Sequence, residues 1–304
     1  MPALAGLFAR RYPSAMLRRL RPLLVVVLVW LAPGWARATP PLWIVHGAHS
    51  TIVLFGSVHI LPPDLDWETP RLKRAVKHAR EIWFEIPLDN ASMAVASQAA
   101  EAAGLQPQGQ TLSAQLNDAD RARLAALAQA YVVPMEELDR LKPWLAEIRL
   151  SVASYRDLGA SRELGVEHQI LADARPDARQ RAFETPQEQV AYLAEGRLED
   201  QIASLEETFG ELEDGPAGFK RLIDAWIAGD LKALNAEALA PMAKTAPAVY
   251  RTMVVERNRR WLRTILARLD EPGNAVVVVG VGHLIGPEGL PALLRAQGIK
   301  VDGP

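Results

Sequence analysis

Four residues able to do acid, base or ligand chemistry stand just past short apolar runs. His59 follows Thr51-Ile52-Val53-Leu54-Phe55 through Gly56-Ser57-Val58, and His283 follows Ala275-Val276-Val277-Val278-Val279 through Gly280-Val281-Gly282. Glu85 follows Ile82-Trp83-Phe84, and Glu184 follows Arg181-Ala182-Phe183. Open α/β sheets bind ligands in the crevice outside the carboxyl ends of their strands. Parallel neighbouring strands would therefore bring two imidazoles and two carboxylates to one crevice. That set suits a divalent metal such as Zn, Mn, Co or Fe, with room for an activated water. The two histidine loops share the form Gly-x-x-His after an apolar strand, where glycine lets the backbone turn and approach a ligand closely.

The elements that must position these residues are legible in outline. Trp43-Ile44-Val45 and Thr51 to Phe55 read as a hairpin, and Pro70 to Arg80 as a helix with proline in its first turn. Glu81 to Ile86 reads as a short buried strand stopped by Pro87. Apolar residues at three- and four-residue spacing predict helices over Ser92–Ala103, Asp118–Tyr131, Pro134–Leu141 and Pro143–Tyr155. Arg181 to Glu184 is a strand candidate. Thr185, Pro186 and Glu188 then form a capping box that opens a helix running towards Phe209. Further helices are predicted over Ala217–Ala228, Leu231–Leu239, Pro247–Leu269 and Pro287–Gln297, and Ile299-Lys300-Val301 closes the chain as a strand. The fold class is α/β: a central sheet built from N- and C-terminal strands, with a large helical segment over about 88–269. A continuous valine run such as 276–279 marks a strand covered on both faces.

Composition narrows the chemistry. The 304 residues hold no cysteine, which excludes disulfides, thiolate zinc sites, thiol nucleophiles and iron–sulfur ligation. No Gly-x-Ser-x-Gly elbow, His-Glu-x-x-His helix or P-loop is present. Charge is unevenly spread. Residues 1–38 carry Arg10, Arg11, Arg18, Arg19, Arg21 and Arg37 with no acid, then the apolar run Leu23 to Ala32, Pro33-Gly34 and Ala36-Arg37-Ala38. This is the layout of a secretory signal cleaved after about Ala38, too short in its apolar part to span a membrane. The expected location is the periplasm or the exterior, without stable membrane insertion after cleavage. Of the 34 basic residues, 28 remain from Thr39 onward against 36 acids, a net of about −8. Nucleic acid is thereby disfavoured as a partner, and the expected partner is a peptide or small-molecule substrate.

Six segments together resemble the TraB/GumN family, which is similar to the TIKI metalloproteases and more remotely to erythromycin-esterase-like proteins. They are Leu54 to Pro62, Trp83-Phe84-Glu85, Gly165-Val166-Glu167, Phe183 to Gln189, Glu256 to Trp261 and Gly280 to Gly289. The resemblance runs from about Leu42 to Val301 and implies an EreA/ChaN-like architecture. It implies a metal-dependent hydrolase with His59 and His283 in the paired motifs and Glu85 as their acidic partner, using Mn, Co or Zn. It alone singles out Arg257 and Asn258, which lie on an arginine-rich helix that otherwise reads as a solvated face. Ser57 stands where threonine is usual and Phe183 where leucine is usual.

The expectation that follows is an exported hydrolase acting on peptide or amide bonds. His59, His283 and Glu85 hold the metal, Glu85 or Glu184 takes the water's proton, and Arg257 with Asn258 steadies the oxyanion. A non-catalytic peptide-sequestering protein, or a hydrolase of esters or glycan-linked substrates on the same site, are the alternatives. Glu184 also reads as a charge placed at a helix N-terminus. Glu167 is a weaker candidate and His168 reads as an exposed helical residue. His46, His49 and His78 read as surface residues, with His49 retained as an extra ligand.

Overall fold

The computed structural model describes residues 39–304 apart from Asp157; the expected signal sequence lies outside the described residues. The fold is mixed α/β. Its six strands are β1 (Leu42–His46), β2 (Ser50–Ser57), β3 (Glu81–Phe84), β4 (Arg179–Ala182), β5 (Gly273–Gly280) and β6 (Lys300–Asp302), ordered β4-β3-β5-β2-β1-β6. Neighbours β4, β3, β5 and β2 run parallel, while β1 is antiparallel to both β2 and β6. The four strands singled out by their carboxyl ends are therefore adjacent and point the same way. β2 and β5 pair along their full length, with Ser57 opposite Gly280, so the two Gly-x-x-His loops leave the sheet at the same level.

The central strands are apolar because both of their faces are covered. Ile52, Leu54, Phe55, Ile82, Phe84 and Val276 to Val279 are all buried. Burial of this kind is worth roughly 1.5–3 kcal/mol for each large side chain. Trp226, on the helix Pro216–Ala228, packs against Phe55 and Trp67, and its indole N–H donates to the Gly56 carbonyl (2.8 Å). That bond anchors the chain just before it turns towards His59.

A second core fills the helical middle, built on Leu124, Leu138, Leu150, Leu205 and Phe209 of helices Asp118–Ala130, Met135–Asp139, Pro143–Arg156 and Leu198–Glu213. Asn117 caps the first of these and the Thr185–Glu188 capping box opens Pro186–Ala194. The expected helix from Thr185 towards Phe209 is in fact two, broken at Gly196, whose φ of +120° is one that glycine adopts freely. β4 sits two residues earlier than its sequence pattern suggested, because Arg179 and Arg181 pair with the buried Glu81 (2.7 and 3.6 Å) on β3. The helix expected over Pro247–Leu269 contains a π-type stretch, Arg251–Glu256, directly before Arg257.

Within the helical middle, Glu147 faces the hydroxyls of Ser204 and Thr208, and burial pushes its carboxyl up to about 7 against their opposing effect. Burial, reinforced by Glu147, raises Glu211 to about 7 as well. A carboxyl raised above its unfolded value of about 4.3 binds its proton more tightly in the fold. Its contribution is complete below that value and is lost as pH rises through 7. Denaturant titrations from pH 4.5 to 8 should show stability falling with pH, and Glu147→Gln should flatten the fall and be the more stable protein at pH 8. An unchanged slope in the variant would contradict this.

Candidate active site

β2 delivers His59, β3 Glu85, β4 Glu184 and β5 His283 to one edge of the sheet, and two helices complete the site. His59 lies in a loop stitched to the segment 161–166 by paired bonds between the Leu61 and Ser161 backbones (3.1 and 3.2 Å) and by Val166 N–H to the Val58 carbonyl (3.2 Å). Gly165 makes this approach possible: a Cβ there would stand 2.1 Å from the His59 carbonyl oxygen. The helix Val166–Asp173 that follows places Glu167 beneath His59, where its Oε1 binds His59 Nδ1 (2.7 Å) and accepts from Ser57 Oγ (2.5 Å).

The second imidazole is held in the same manner by a different group. Asn258 Nδ2 donates to the carbonyls of His283 (3.1 Å) and Glu288 (2.8 Å), which turns its Oδ1 towards His283 Nδ1 (2.7 Å). The His283 ring therefore carries its proton on Nδ1 and leaves Nε2 as an acceptor. Both rings direct Nε2 towards Glu85 Oε1, at 4.0 Å from His59 and 3.8 Å from His283. Glu85 Oε1 also accepts from the Gly280 N–H (2.8 Å), and its Oε2 accepts from Gln189 Nε2 (3.2 Å).

Arg257 binds the carboxylates together. Its Nη2 donates to Glu85 Oε2 (2.7 Å) and Glu184 Oε2 (2.9 Å), and its Nε to Glu184 Oε1 (2.9 Å). Nη1 reaches the Met253 carbonyl in the π-type stretch (3.3 Å) and His283 Nε2 (3.2 Å). Trp261 lies under the guanidinium, 4.7 Å from ring centroid to Cζ, and its indole N–H donates to Glu184 Oε1 (2.9 Å). Burial pushes the Glu85 carboxyl up, but Arg257, His283, His59 and the Gly280 N–H outweigh it and hold Glu85 well below the usual carboxylate range. The negative charge of Glu167 raises His59 to about 9, with the ring 58% exposed at the crevice wall. Burial, with Arg257 beside it, lowers His283 to about 3.

A crevice of about 1080 Å³ opens beside His59 and Glu85, while His283, Glu184 and Arg257 lie buried behind its wall. His59, Glu85, Glu167, His168 and Gln189 are in its wall. His168 thus faces the crevice instead of bulk solvent. Glu167, ranked low on sequence grounds, is in direct contact with His59, and its Gly-Val-Glu segment was the available signal. Asn258 is 0% exposed with its whole amide engaged, so it has no donor left to face a substrate. His49 lies at the opposite end of β2, about 25 Å of strand away, and is removed from the ligand candidates. His46 pairs with Asp302 at 2.7 Å on the far side of the sheet, and His78 ends the helix Pro70–His78.

The described region matches the model of the TraB/PrgY/gumN family over residues 41–303. The chain belongs to this family. It is also similar to uncharacterized protein YbaP of Escherichia coli strain K12 and to that of Shigella flexneri, each 22% identical over 244 residues. The match covers 80% of this chain and 87% of each relative. No solved structure matches. The family match spans the positions of every residue of the site.

The donor chemistry of the site fits a divalent cation. Two imidazole Nε2 atoms and one carboxylate oxygen face one another, and each ring is oriented from behind by an amide or carboxylate, as in protein metal sites. As placed, they stand wider than the roughly 3.4 Å separation that tetrahedral bonds of about 2.1 Å give. Among the described residues no group of three or more His, Asp or Glu side chains is close enough to hold a metal as it stands. Bringing each Nε2 to that separation from Glu85 Oε1 takes about half an ångström, and His283 Nε2 must also be released by Arg257.

Arg257 is the member whose loss should cost most. Arg257→Ala leaves Glu85 and Glu184 buried without their cation, and breaking such a pair typically costs about 3–5 kcal/mol. Chemical denaturation should show a loss of that size, and a much smaller loss in Arg257→Ala/Glu184→Gln/Glu85→Gln, where no charge is stranded. Equal losses in the two proteins would show that packing, not charge, governs the clamp.

Proposed function

We propose that this protein is an exported, metal-dependent hydrolase of amide bonds, peptides included. The observation that carries the reading is the paired orientation of the imidazoles. Glu167 and Asn258 fix the two Nδ1 atoms, and both Nε2 atoms face a single oxygen of Glu85 at the floor of a large crevice. Charge supports it too: Glu85 and Glu184 share one permanent cation, Arg257, and Glu167 is paired with His59, so a divalent ion taking the place of the His59 proton would balance the three carboxylates. Mn, Co or Zn bound there supplies a water of lowered pKa and polarises the scissile carbonyl.

The chain's own residues divide the remaining work. Glu85, ionised at neutral pH and lining the crevice, is the carboxylate that can meet a water's proton, whereas Glu184 is outside the crevice wall and held by Arg257 and Trp261. Glu184 and Arg257 hold Glu85 in place, and Gln189 fixes its second oxygen. Asn258 is a positioning residue for His283 and Glu167 for His59. The crevice walls exclude bulk water from one side of the reacting bond.

One observation favours a second reading. The Arg257 guanidinium rests on His283 Nε2, where a metal ligand would have its lone pair free. A protein that keeps that contact would bind a peptide in the crevice without converting it. Mass spectrometry of a peptide and ester library, incubated with and without Mn²⁺, Co²⁺ or Zn²⁺, separates the readings. Cleavage should require metal and fall at least a hundredfold in His59→Ala and His283→Ala, both of which should lose bound metal. Equal metal in wild type and variants, or peptide bound equally well and returned intact with and without metal, would overturn the hydrolase.

A further inference from the structure

The crevice extends far beyond the groups that would do chemistry, and its walls are unusual for a peptide site. They are helical. Met93, Ala96 and Ala100 line it from Asn90–Gly104, beside Ser97 and Glu101, and Leu145, Ile148 and Val152 from Pro143–Arg156, beside Arg149. On the first helix Met93, Ala96 and Ala100 are half-buried: the helix packs on Pro186–Ala194, and this stripe also borders the cavity. Helix backbones satisfy their own N–H and C=O groups, and these walls offer no free main chain for an extended peptide to pair with. A peptide laid along them would bury unpaired amides at a cost of a few kcal/mol each, whereas peptide sites commonly add a strand to an exposed edge. A hydrocarbon chain incurs no such cost. The Val152 side of the trough is open to solvent, that residue being 40% exposed.

The wall also holds a cation, close to the carboxylates Glu85 and Glu167 around His59. Arg162 lines the trough within electrostatic reach of His59 and forms no ion pair among the described residues; its Nη2 rests on Met93 Sδ at 3.8 Å. His168 stands in the same wall. A ligand suited to this wall is apolar along the helices and anionic where it meets Arg162, with its scissile bond beside His59 and Glu85.

We propose that the substrate is an amide joining a long unbranched acyl chain to a small head group that bears a carboxylate. This inference rests on the hydrolase reading of the same site. In the reaction, the oxygen of water bonds to the acyl carbon and the carbon–nitrogen bond breaks. A water proton passes to the departing nitrogen, releasing a fatty carboxylate and an amino acid.

The test uses the mature chain from Thr39 and N-acylglycines of four, eight, twelve and sixteen carbons, kept below micelle-forming concentrations. Their binding is measured calorimetrically without added metal, beside the matching N-acylglycinamides and an apolar hexapeptide. Affinity should rise about two- to fourfold per methylene until the trough is full. Arg162→Gln should weaken the acylglycines about tenfold and leave the acylglycinamides unchanged. Ala96→Phe and, separately, Ala100→Phe should block the sixteen-carbon chain while sparing the four-carbon one. Affinity independent of chain length, or tighter binding of the hexapeptide than of the twelve-carbon ligand, would overturn the inference even if peptides are cleaved. Chain-length-dependent binding with no cleavage under any metal would leave the occupant in place and overturn the hydrolase instead.

Discussion

Two carboxylates buried side by side repel each other and resist ionisation unless a cation is built in with them. Arg257 is that cation, and the carboxyl-end edge of the sheet depends on it. Its guanidinium joins Glu85 from the end of β3, Glu184 from the end of β4 and His283 from the loop after β5. Three chain segments distant in sequence are thereby fixed to one helix. The π-type stretch before Arg257 supplies a carbonyl for its remaining arm, and Trp261 one turn later supplies a π face. Such helical irregularities recur at functional sites.

The same charge account explains the fourth corner. Arg257 answers for two carboxylates, and Glu167, also buried, needs a positive partner of its own. His59 provides it by holding a proton up to about pH 9. A divalent cation bound at Nε2 would substitute for that proton in the charge balance. His283 is the opposite case, kept neutral by burial and by Arg257. One imidazole is thus charged and the other is a free base, although both arise from the same Gly-x-x-His pattern.

What the sequence revealed and concealed follows from distance along the chain. Strand ends, the glycine loops and the Thr185 capping box are written in consecutive residues, and they placed His59, Glu85, Glu184 and His283 at one sheet edge. The positioning of the rings is not local. Glu167 reaches His59 across 108 residues and Arg257 reaches Glu85 across 172, so neither contact leaves a periodicity or a motif in a single sequence. Arg257 and Asn258 sat within an arginine run that looks like a solvated face, and only the family resemblance drew attention to them. The stripe of Met93, Ala96 and Ala100 shows in sequence only the spacing of a helix; that it borders a cavity depends on how this helix is set against Pro143–Arg156, which no pattern within one helix specifies.

The central claim is that His59 and His283 present their Nε2 atoms to a shared ion beside Glu85. X-ray absorption spectroscopy of the cobalt-loaded protein measures this directly, because imidazole rings give characteristic outer-shell scattering. The account predicts two imidazoles and oxygen neighbours in the wild type, and one imidazole in either His59→Ala or His283→Ala. A spectrum with no imidazole scattering, or one that neither substitution alters, would contradict it.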